Sequence, residues 1–262
     1  MEYAGTILNN FAIVTSFDQN YIEYSKVMVK TLCENYHGDE EIKLYCLVPK
    51  DLIGMESSYI KSIGEYKIKI KFTYSEEFHN ADYFVERGQY TKNAWHRLFI
   101  GSLFPNIDKV LYLDPDMIFL RDASPLINYK TRGPMAAYIE EDFQSLCQEI
   151  YGNEDVVYFS DGVFIADLNY WREHDFESKM IEFAKTRNTR FVDQDAVNFV
   201  MHDIVEPLPV NFNFCADKAE LYYTVINPMI VHFSGPVKPW HHDMGGNKYA
   251  LRWREVFESL TS

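Results

Sequence analysis

Residues 109–120 read KVLYLDPDMIFL: an apolar run of Val110, Leu111 and Leu113 that passes directly into two aspartates separated by one proline. The run has the length and composition of a buried strand. In extended backbone, residues two apart project to the same side. Asp114 and Asp116 can therefore face one point just past a strand end. Two close carboxylates repel each other and drive one of them to bind a proton unless a cation lies between them. A strand that ends this way points to a divalent metal. In open α/β sheets, ligands bind beyond the carboxyl ends of strands, so the stretch also points to a fold class.

The sequence before it alternates strand and helix signals. Phe11–Ser16 (FAIVTS) is a short apolar strand with β-branched residues. Residues 21–36 carry Ile22, Val27, Met28 and Leu32 at helical spacing. Residues 42–48 form a second strand, closed by Pro49, and 52–63 a helix. Residues 67–74 (KIKIKFTY) alternate as a third strand. The segment 92–104 is a helix with Trp95, Leu98, Phe99 and Leu103 on or near one face, stopped by Pro105. This βαβαβ order predicts a parallel sheet with helices on both faces. Beyond residue 120 the pattern is less regular: a strand at 162–166, helices at 169–187 and 194–201, a strand at 229–232 and a closing helix at 249–260. Pro, Asn and Gly cluster after Val205, which predicts long functional loops. No linker-like composition shift, repeat or low-complexity tract interrupts the chain. The expectation is an α/β fold: a single Rossmann-like domain over 1–262 with a mostly parallel central sheet. A nucleotide-type half (about 8–120) precedes a variable half (about 121–262).

Bulk composition agrees. With 262 residues, 47% of them hydrophobic, the chain can bury a substantial core despite a net charge of -14. That charge argues against nucleic acid as a partner, because phosphate contacts need clustered Lys and Arg. A single nucleotide is a lesser demand, met by one metal and one or two cations. The N-terminal MEYAGTILNN has no basic segment followed by a long apolar run, so no signal peptide is expected. No run approaches the ~18 apolar residues of a membrane span. Cys33, Cys46, Cys147 and Cys215 lie far apart, which predicts reduced, mostly buried thiols in a cytoplasmic protein.

Chemistry-bearing residues cluster in five further segments. Among 39 acidic residues, chance D-x-D triplets are expected, and Asp193-Gln194-Asp195 is a second one. The place of Asp114-Pro115-Asp116 at a strand end sets it apart. G-x-G-x-x-G and G-x-x-x-x-G-K-[ST] are both absent, which disfavours dehydrogenases and P-loop enzymes. In VHFSGPVKPW (231–240), His232 ends a strand and can complete a metal site. An O,O,N donor set suits Mn²⁺ better than Ca²⁺. Gly235 permits close backbone approach, and Lys238 can neutralise a phosphate oxygen; the bland alternative is a Pro/Gly loop with a structural histidine and a solvated lysine. At the end of the first strand sit Thr15, Ser16, Asp18, Asn20 and Tyr21. Asp18 can accept a pyrimidine N3–H, Asn20 can bond a ribose hydroxyl and Tyr21 can stack on a base. A helix cap followed by a core tyrosine fits the same residues. Arg97 either snorkels to solvent or points at a sugar or phosphate. Asp193, Gln194 and Asp195 open a helix, where its dipole favours carboxylates; the functional reading makes them acceptors for sugar hydroxyls, with the Gln194 amide facing a reacting carbon. Ser160 and Asp161 can line the same pocket.

Together these residues resemble the retaining glycosyltransferases of family 8, which include glycogenin and bacterial lipopolysaccharide galactosyl- and glucosyltransferases. The resemblance covers nearly the whole chain and runs in the family's order. It comprises Asp18-Gln19-Asn20-Tyr21, Arg97, YLDPDMIF, YFSDGVFIADLNYW, VDQDAVN and HFSGPVKPW. The last, H-x-x-G-x-x-K-P-W, is the most specific. The resemblance implies a GT-A fold whose second half handles donor sugar and acceptor. It implies a UDP-sugar donor, with hexose as glucose or galactose, and Mn²⁺ (Mg²⁺ as second choice) held by Asp114, Asp116 and His232. The donor set it implies begins with Thr15, Ser16, Asp18, Asn20 and Tyr21 and continues through Asp114-Pro115-Asp116, Ser160-Asp161, Gly235 and Lys238. Arg97, Asp193 and Gln194 would serve the donor sugar and catalysis. The chain departs from the family at Ser160-Asp161, where Asn followed by Ala or Ser is usual. The extended basic and aromatic tail by which some bacterial members attach to membranes has no counterpart after Leu260, so membrane association through such a tail is not expected; with no transmembrane segment expected, any membrane contact would be peripheral. The acceptor is expected to be a glycan or lipid-linked saccharide, with 140–158 and 216–227 as its surroundings.

Two other classes fit the same residues. One is a metal-dependent UDP-sugar hydrolase, with water in place of an acceptor. The other is a non-catalytic nucleotide-sugar-binding relative. A nucleotidyltransferase would carry a Gly-rich, basic first loop, and TSFDQNY has neither property.

Overall fold

The computed structural model describes residues 10–74, 84, 86, 91–140, 143–152, 156–187, 190–218 and 226–261. In chain order the elements are β1 (Phe11–Ser16), α1 (Ile22–Glu34), β2 (Ile42–Leu47), α2 (Glu56–Ile63) and β3 (Ile68–Thr73). A 3-10 helix (Lys92–Phe99) runs into α3 (Ile100–Leu103), then β4 (Lys109–Leu113) and β5 (Met117–Phe119). There follow α4 (Ser124–Ile127), β6 (Met135–Ile139), α5 (Gln144–Tyr151), β7 (Phe159–Asp167), α6 (Leu168–Glu173), α7 (Phe176–Thr186) and α8 (Val192–Met201). The last elements are β8 (Val205–Pro207), β9 (Phe214–Cys215), β10 (Ile230–His232) and α9 (Lys248–Thr261).

A seven-stranded sheet in the order β3-β2-β1-β4-β7-β6-β8 forms the centre, and β5, β10 and β9 make a second, smaller sheet. In the large sheet β7 alone runs against its neighbours. β1 has partners on both sides, β2 and β4, and all six of its residues are buried. This is the expected state of an apolar strand covered on both faces. Phe11 and Ile13 face a core shared with α1 and α2; Val14 faces the opposite core, built with Trp95, Leu98, Phe164, Trp171 and Met201. A third core packs the small sheet against α1 and α9 through Val27, Ile118, Phe214, Val231 and Trp253. β3 is an edge strand, and its exposed Lys69 and Lys71 blunt that edge.

Three expected helices differ in detail. The segment 92–104 is wound mainly as a 3-10 helix. Asn93, Trp95, His96, Arg97, Leu98 and Phe99 are all buried, so no solvent-facing side enforces an α period. Residues 50–55 are likewise 3-10 before α2 begins. The helix expected over 169–187 is broken at Asp175, whose φ of 52° is left-handed. Aspartate tolerates that region, and the turn re-aims Phe176, Met180 and Phe183 into the core. The most consequential difference lies at Pro115. β4 belongs to the large sheet and β5 to the small one, so the two aspartates sit where the chain crosses between sheets.

Candidate functional site

Strand order reverses between β1 and β4, each of which has the other as neighbour while the chain moves outward on opposite sides. A crevice opens at the carboxyl ends of strands flanking such a point. A cavity of about 500 Å³ lies there, lined among others by Ser16, Asp18, Tyr21, Asp114, Asp116, His232 and Lys238.

Pairing in the small sheet brings the donors together. β10 runs antiparallel to β5 with His232 opposite Met117, and Phe233 N–H donates to the Asp116 carbonyl at 3.0 Å. His232 Nε2 thereby lies 3.2 Å from Asp116 Oδ1 and 3.6 Å from Asp114 Oδ2. One atom from each of the three residues fits within 4.8 Å of the others. The His232 ring is oriented by Asn213, whose Oδ1 is 2.9 Å from Nδ1 while its Nδ2 donates to Ser160 Oγ at 3.1 Å. With its amide so committed, Asn213 accepts from Nδ1–H, and the lone pair of Nε2 faces the carboxylates. Buried Asp116 Oδ1 has no hydrogen-bond partner. Two acceptors held face to face are relieved by a proton or a metal ion between them. The residues therefore fit a divalent cation, in the arrangement where an outer amide fixes the histidine tautomer. Gly162 makes room: a Cβ there would lie 2.7 Å from Asp114 Oδ2 and against His232 Cε1.

Lys238 is buried, 2.6 Å from Asp116 Oδ2 and 2.7 Å from the Phe233 carbonyl. Burial alone would raise the Asp116 carboxyl pKa; the Lys238 ammonium beside it overrides this and holds the group well below the usual carboxylate range. Gly235 packs against Asp217, whose carboxylate would clash with any Cβ placed there.

Arg97 sits at the centre of the opposite wall. The 3-10 winding eclipses residues three apart, and Nε lies 3.2 Å from the Ala94 carbonyl. Its guanidinium meets Asp114 Oδ1 at 2.8 Å, Asp161 Oδ1 at 2.8 Å and Asp193 Oδ2 at 2.7 Å, and donates to the Asp161 carbonyl at 2.8 Å. It also lies over the Tyr112 ring, 4.5 Å from the centroid. Burial works against its charge, and the three carboxylates override it, so its pKa stands well above the ordinary value. For Asp161 and Asp193, burial dominates over Arg97 and, with the neighbouring carboxylates, pushes both carboxyls up. Asp161 reaches this position because β7 loses register with β6 at Ala137/Tyr138, freeing its Asp161–Gly162 stretch to follow β4. Asp193 follows Val192, whose φ of 40° is strained for a β-branched residue.

Gln194 Nε2 donates to Tyr158 OH at 3.1 Å, and its Oε1 accepts from the Asp161 amide at 3.4 Å. Asp195 turns away from the cavity: its carboxylate takes Tyr158 OH at 2.7 Å and the Arg190 and Phe191 amides. The helix-start reading thus holds for Asp195, and the sugar-acceptor reading does not. Asp18 accepts from the Asn20 amide at 2.8 Å in a local turn, and exposed Asn20 is not part of the cavity wall. Thr15 is fully buried and does not reach the cavity, whereas Ser16, Pro115, Ser160, Asp161, Gly235 and Gln194 do. Sequence reasoning missed Asn213, Tyr112, Tyr158 and the role of Gly162. A glycine inside a strand was the available signal for the last, since it marks close approach. Of the two acceptor segments, 141–142, 153–155 and 219–225 lie outside the described residues; Glu140, Phe143 and Asp217 line the cavity.

All four cysteines are buried and none is joined in a disulfide. Among the described residues no helix is long and apolar enough to cross a membrane.

Residues 12–244 match the family model described as Glycosyl transferase family 8. General stress protein A of Bacillus subtilis (strain 168) is 28% identical over 254 residues, covering 87% of each chain. The lipopolysaccharide 1,2-glucosyltransferase of Escherichia coli (strain K12) is 25% identical over 169 residues, 58% of this chain and 50% of that protein. The crystal structure of galactosyltransferase LgtC in complex with donor and acceptor sugar analogues matches with a TM-score of 0.79 and 25% identity, covering 96% of each chain.

Proposed function

This chain belongs to glycosyl transferase family 8 and has the GT-A fold, and from that premise we propose that it is a retaining, metal-dependent hexosyltransferase. It moves glucose or galactose from a UDP-sugar to a hydroxyl of a glycan or lipid-linked saccharide, in the cytoplasm. The observation that carries this reading is the meeting of Asp114, Asp116 and His232 at one point, with Lys238 ion-paired to Asp116 beside it.

Asp114, Asp116 and His232 would hold Mn²⁺, or Mg²⁺ in its place. Bound there, the ion supplies Lewis-acid stabilisation of the departing diphosphate. Every other part of the reaction belongs to side chains. Lys238 adds a second positive charge where leaving-group charge develops. Tyr21 and Asp18 receive the uridine from the cavity wall, and Asn20, exposed just outside it, meets the ribose at the rim. Gly235 lets the backbone approach the phosphates. Arg97 keeps Asp114 aimed at the cation while it fixes Asp161 and Asp193 in the wall that faces the sugar. Gln194, held by Tyr158 and the Asp161 amide, presents its amide to the anomeric carbon. An amide is a weak nucleophile, so retention proceeds by same-face attack of the acceptor hydroxyl as the glycosidic bond stretches. Its proton passes to the departing phosphate oxygen.

Asp116→Ala removes one ligand and leaves Lys238 without its carboxylate. Metal-dependent UDP release should fall at least about 100-fold; turnover equal to the parent would refute the assignment. A panel of UDP-sugars with Mn²⁺, scored by UDP release, identifies the donor. Release that rises only when a saccharide acceptor is added distinguishes transfer from hydrolysis.

A further inference from the structure

The loop that carries Lys238 is held from outside the cavity. Arg254, on α9, donates from Nε to the Pro239 carbonyl and from Nη2 to the His241 carbonyl, both at 2.6 Å. Charge-assisted bonds of this length are the strong kind. Between those two carbonyls stands Trp240. The loop also closes on itself: His241 N–H donates to the Lys238 carbonyl at 2.9 Å, and Lys238 N–H donates to His241 Nδ1 at 3.2 Å.

Trp240 ties this loop to the other end of the site. Its ring stacks on Tyr24 of α1, with centroids 4.0 Å apart and planes 3° from parallel. Tyr21, one turn earlier and part of the cavity wall, meets the same indole edge-on at 5.6 Å. One support therefore serves both Tyr21 and Lys238. The docking of α9 does not explain Arg254, because the buried face of that helix is Tyr249, Ala250, Trp253 and Val256.

We propose that Arg254 is a positioning residue for the donor. By fixing the carbonyls on either side of Trp240, it sets where the Lys238 ammonium and the Tyr21 ring stand. It controls affinity for a nucleoside diphosphate without touching it. The physical reason is the freedom of lysine: its four-carbon stem is flexible, so a drifting loop backbone leaves the ammonium poorly aimed. The inference rests on Lys238 being a diphosphate contact.

The test is calorimetric titration of UDP with Mn²⁺, alongside thermal melting. Arg254→Ala should weaken UDP binding about tenfold, the lower end of what outer-shell partners cost. The donor KM should rise by a similar factor with a much smaller change in kcat. Arg254→Lys should recover part of the affinity. In a Lys238→Ala background the same substitution should cost less than in the parent. Parental UDP affinity in Arg254→Ala, or a lowered melting point with unchanged affinity, overturns the proposal. Where the alanine variant does not fold, Arg254→Gln serves, and parental affinity in it is equally decisive. If Lys238→Ala itself binds UDP normally, the diphosphate reading falls and takes this inference with it. If Lys238→Ala is impaired while Arg254→Ala is normal, only the inference falls.

Discussion

Arg97 cannot be a freely offered sugar ligand, because most of its N–H donors are already spent on the protein. Nε and Nη1 are committed to Asp193 and to both the carbonyl and the carboxylate of Asp161, and Nη2 to Asp114. It works as a clamp on three carboxylates. That crowding has a pH consequence. Burial, then the neighbouring carboxylates, pushes the Asp161 pKa well above its ordinary value in the folded chain, despite Arg97. Unfolded, the group titrates near about 3.9. Above that pH the folded state keeps a proton that the unfolded state has released, so stability falls as pH rises, by up to about 1.4 kcal/mol per pH unit, until the folded group ionises too. Below about pH 3.9 the penalty is absent. Asp161→Asn removes the titration. In metal-free protein, its melting temperature should decline less than the parent's as pH rises from 4; parallel profiles would exclude a raised Asp161 carboxyl. At this scale the sequence named Asp161, Asp193 and Arg97 separately. Their mutual contact was invisible, because it spans three elements. Thr15 misled for the opposite reason: in a strand, neighbours face opposite sides, and only one of Thr15 and Ser16 can face the cavity.

At the scale of elements, β7 carries the most specific device. It pairs with β4 over Val163–Asp167, and slips against β6 between Phe164 and Ser160, where Asp161 and Gly162 stand. The slip frees Asp161 to reach Arg97, and Gly162 leaves space for the Asp114 and His232 side chains. Both neighbours of a new Cβ are pinned, Asp114 by Arg97 and His232 by Asn213, so neither can step aside. Gly162→Ala should cost about 1–3 kcal/mol of stability, the usual price of overpacking. It should also weaken Mn²⁺ binding by at least about tenfold, as displaced ligand geometry does. Denaturation and metal titration check the two separately; normal metal affinity would show that the ligands do not depend on this gap. The strand itself was legible from GVFIA, but its length was not, since FSD reads as loop by composition. The 3-10 helix at Lys92–Phe99 was legible as a helix and not as its type. A segment buried on every side has no polar face to mark its period.

For the whole molecule, the site joins two sheets and both halves of the sequence. Asp114, Asp116 and Arg97 come from the first half; His232 and Lys238 arrive from the second, held by the small sheet and α9. A ligand that bridges these parts should stabilise all of them together. With Mn²⁺ and UDP near 100 times their dissociation constant, the gain is about 2.7 kcal/mol. For a chain of this size that corresponds to about 5–10 °C in melting temperature. Asp116→Ala should lose the metal-dependent part, and an unchanged melting temperature in the parent protein would argue against a site built across both sheets.

The sequence by itself determined the alternation of strands and helices, the strand end that carries Asp114 and Asp116, and the ordered motifs that belong to one family. These are local: periodicity, strand composition and turn residues act within a few positions of one another, and a family pattern is a record along the chain. Only the tertiary structure decided which side chains meet. The crossing at Pro115 from one sheet to the other, the antiparallel pairing that sets His232 beside Asp116, the Asn213 amide behind it, and Arg254 beneath the Lys238 loop all depend on how separate elements pack. Packing is governed by shape and buried area summed over the whole core, and no short stretch of sequence contains that sum.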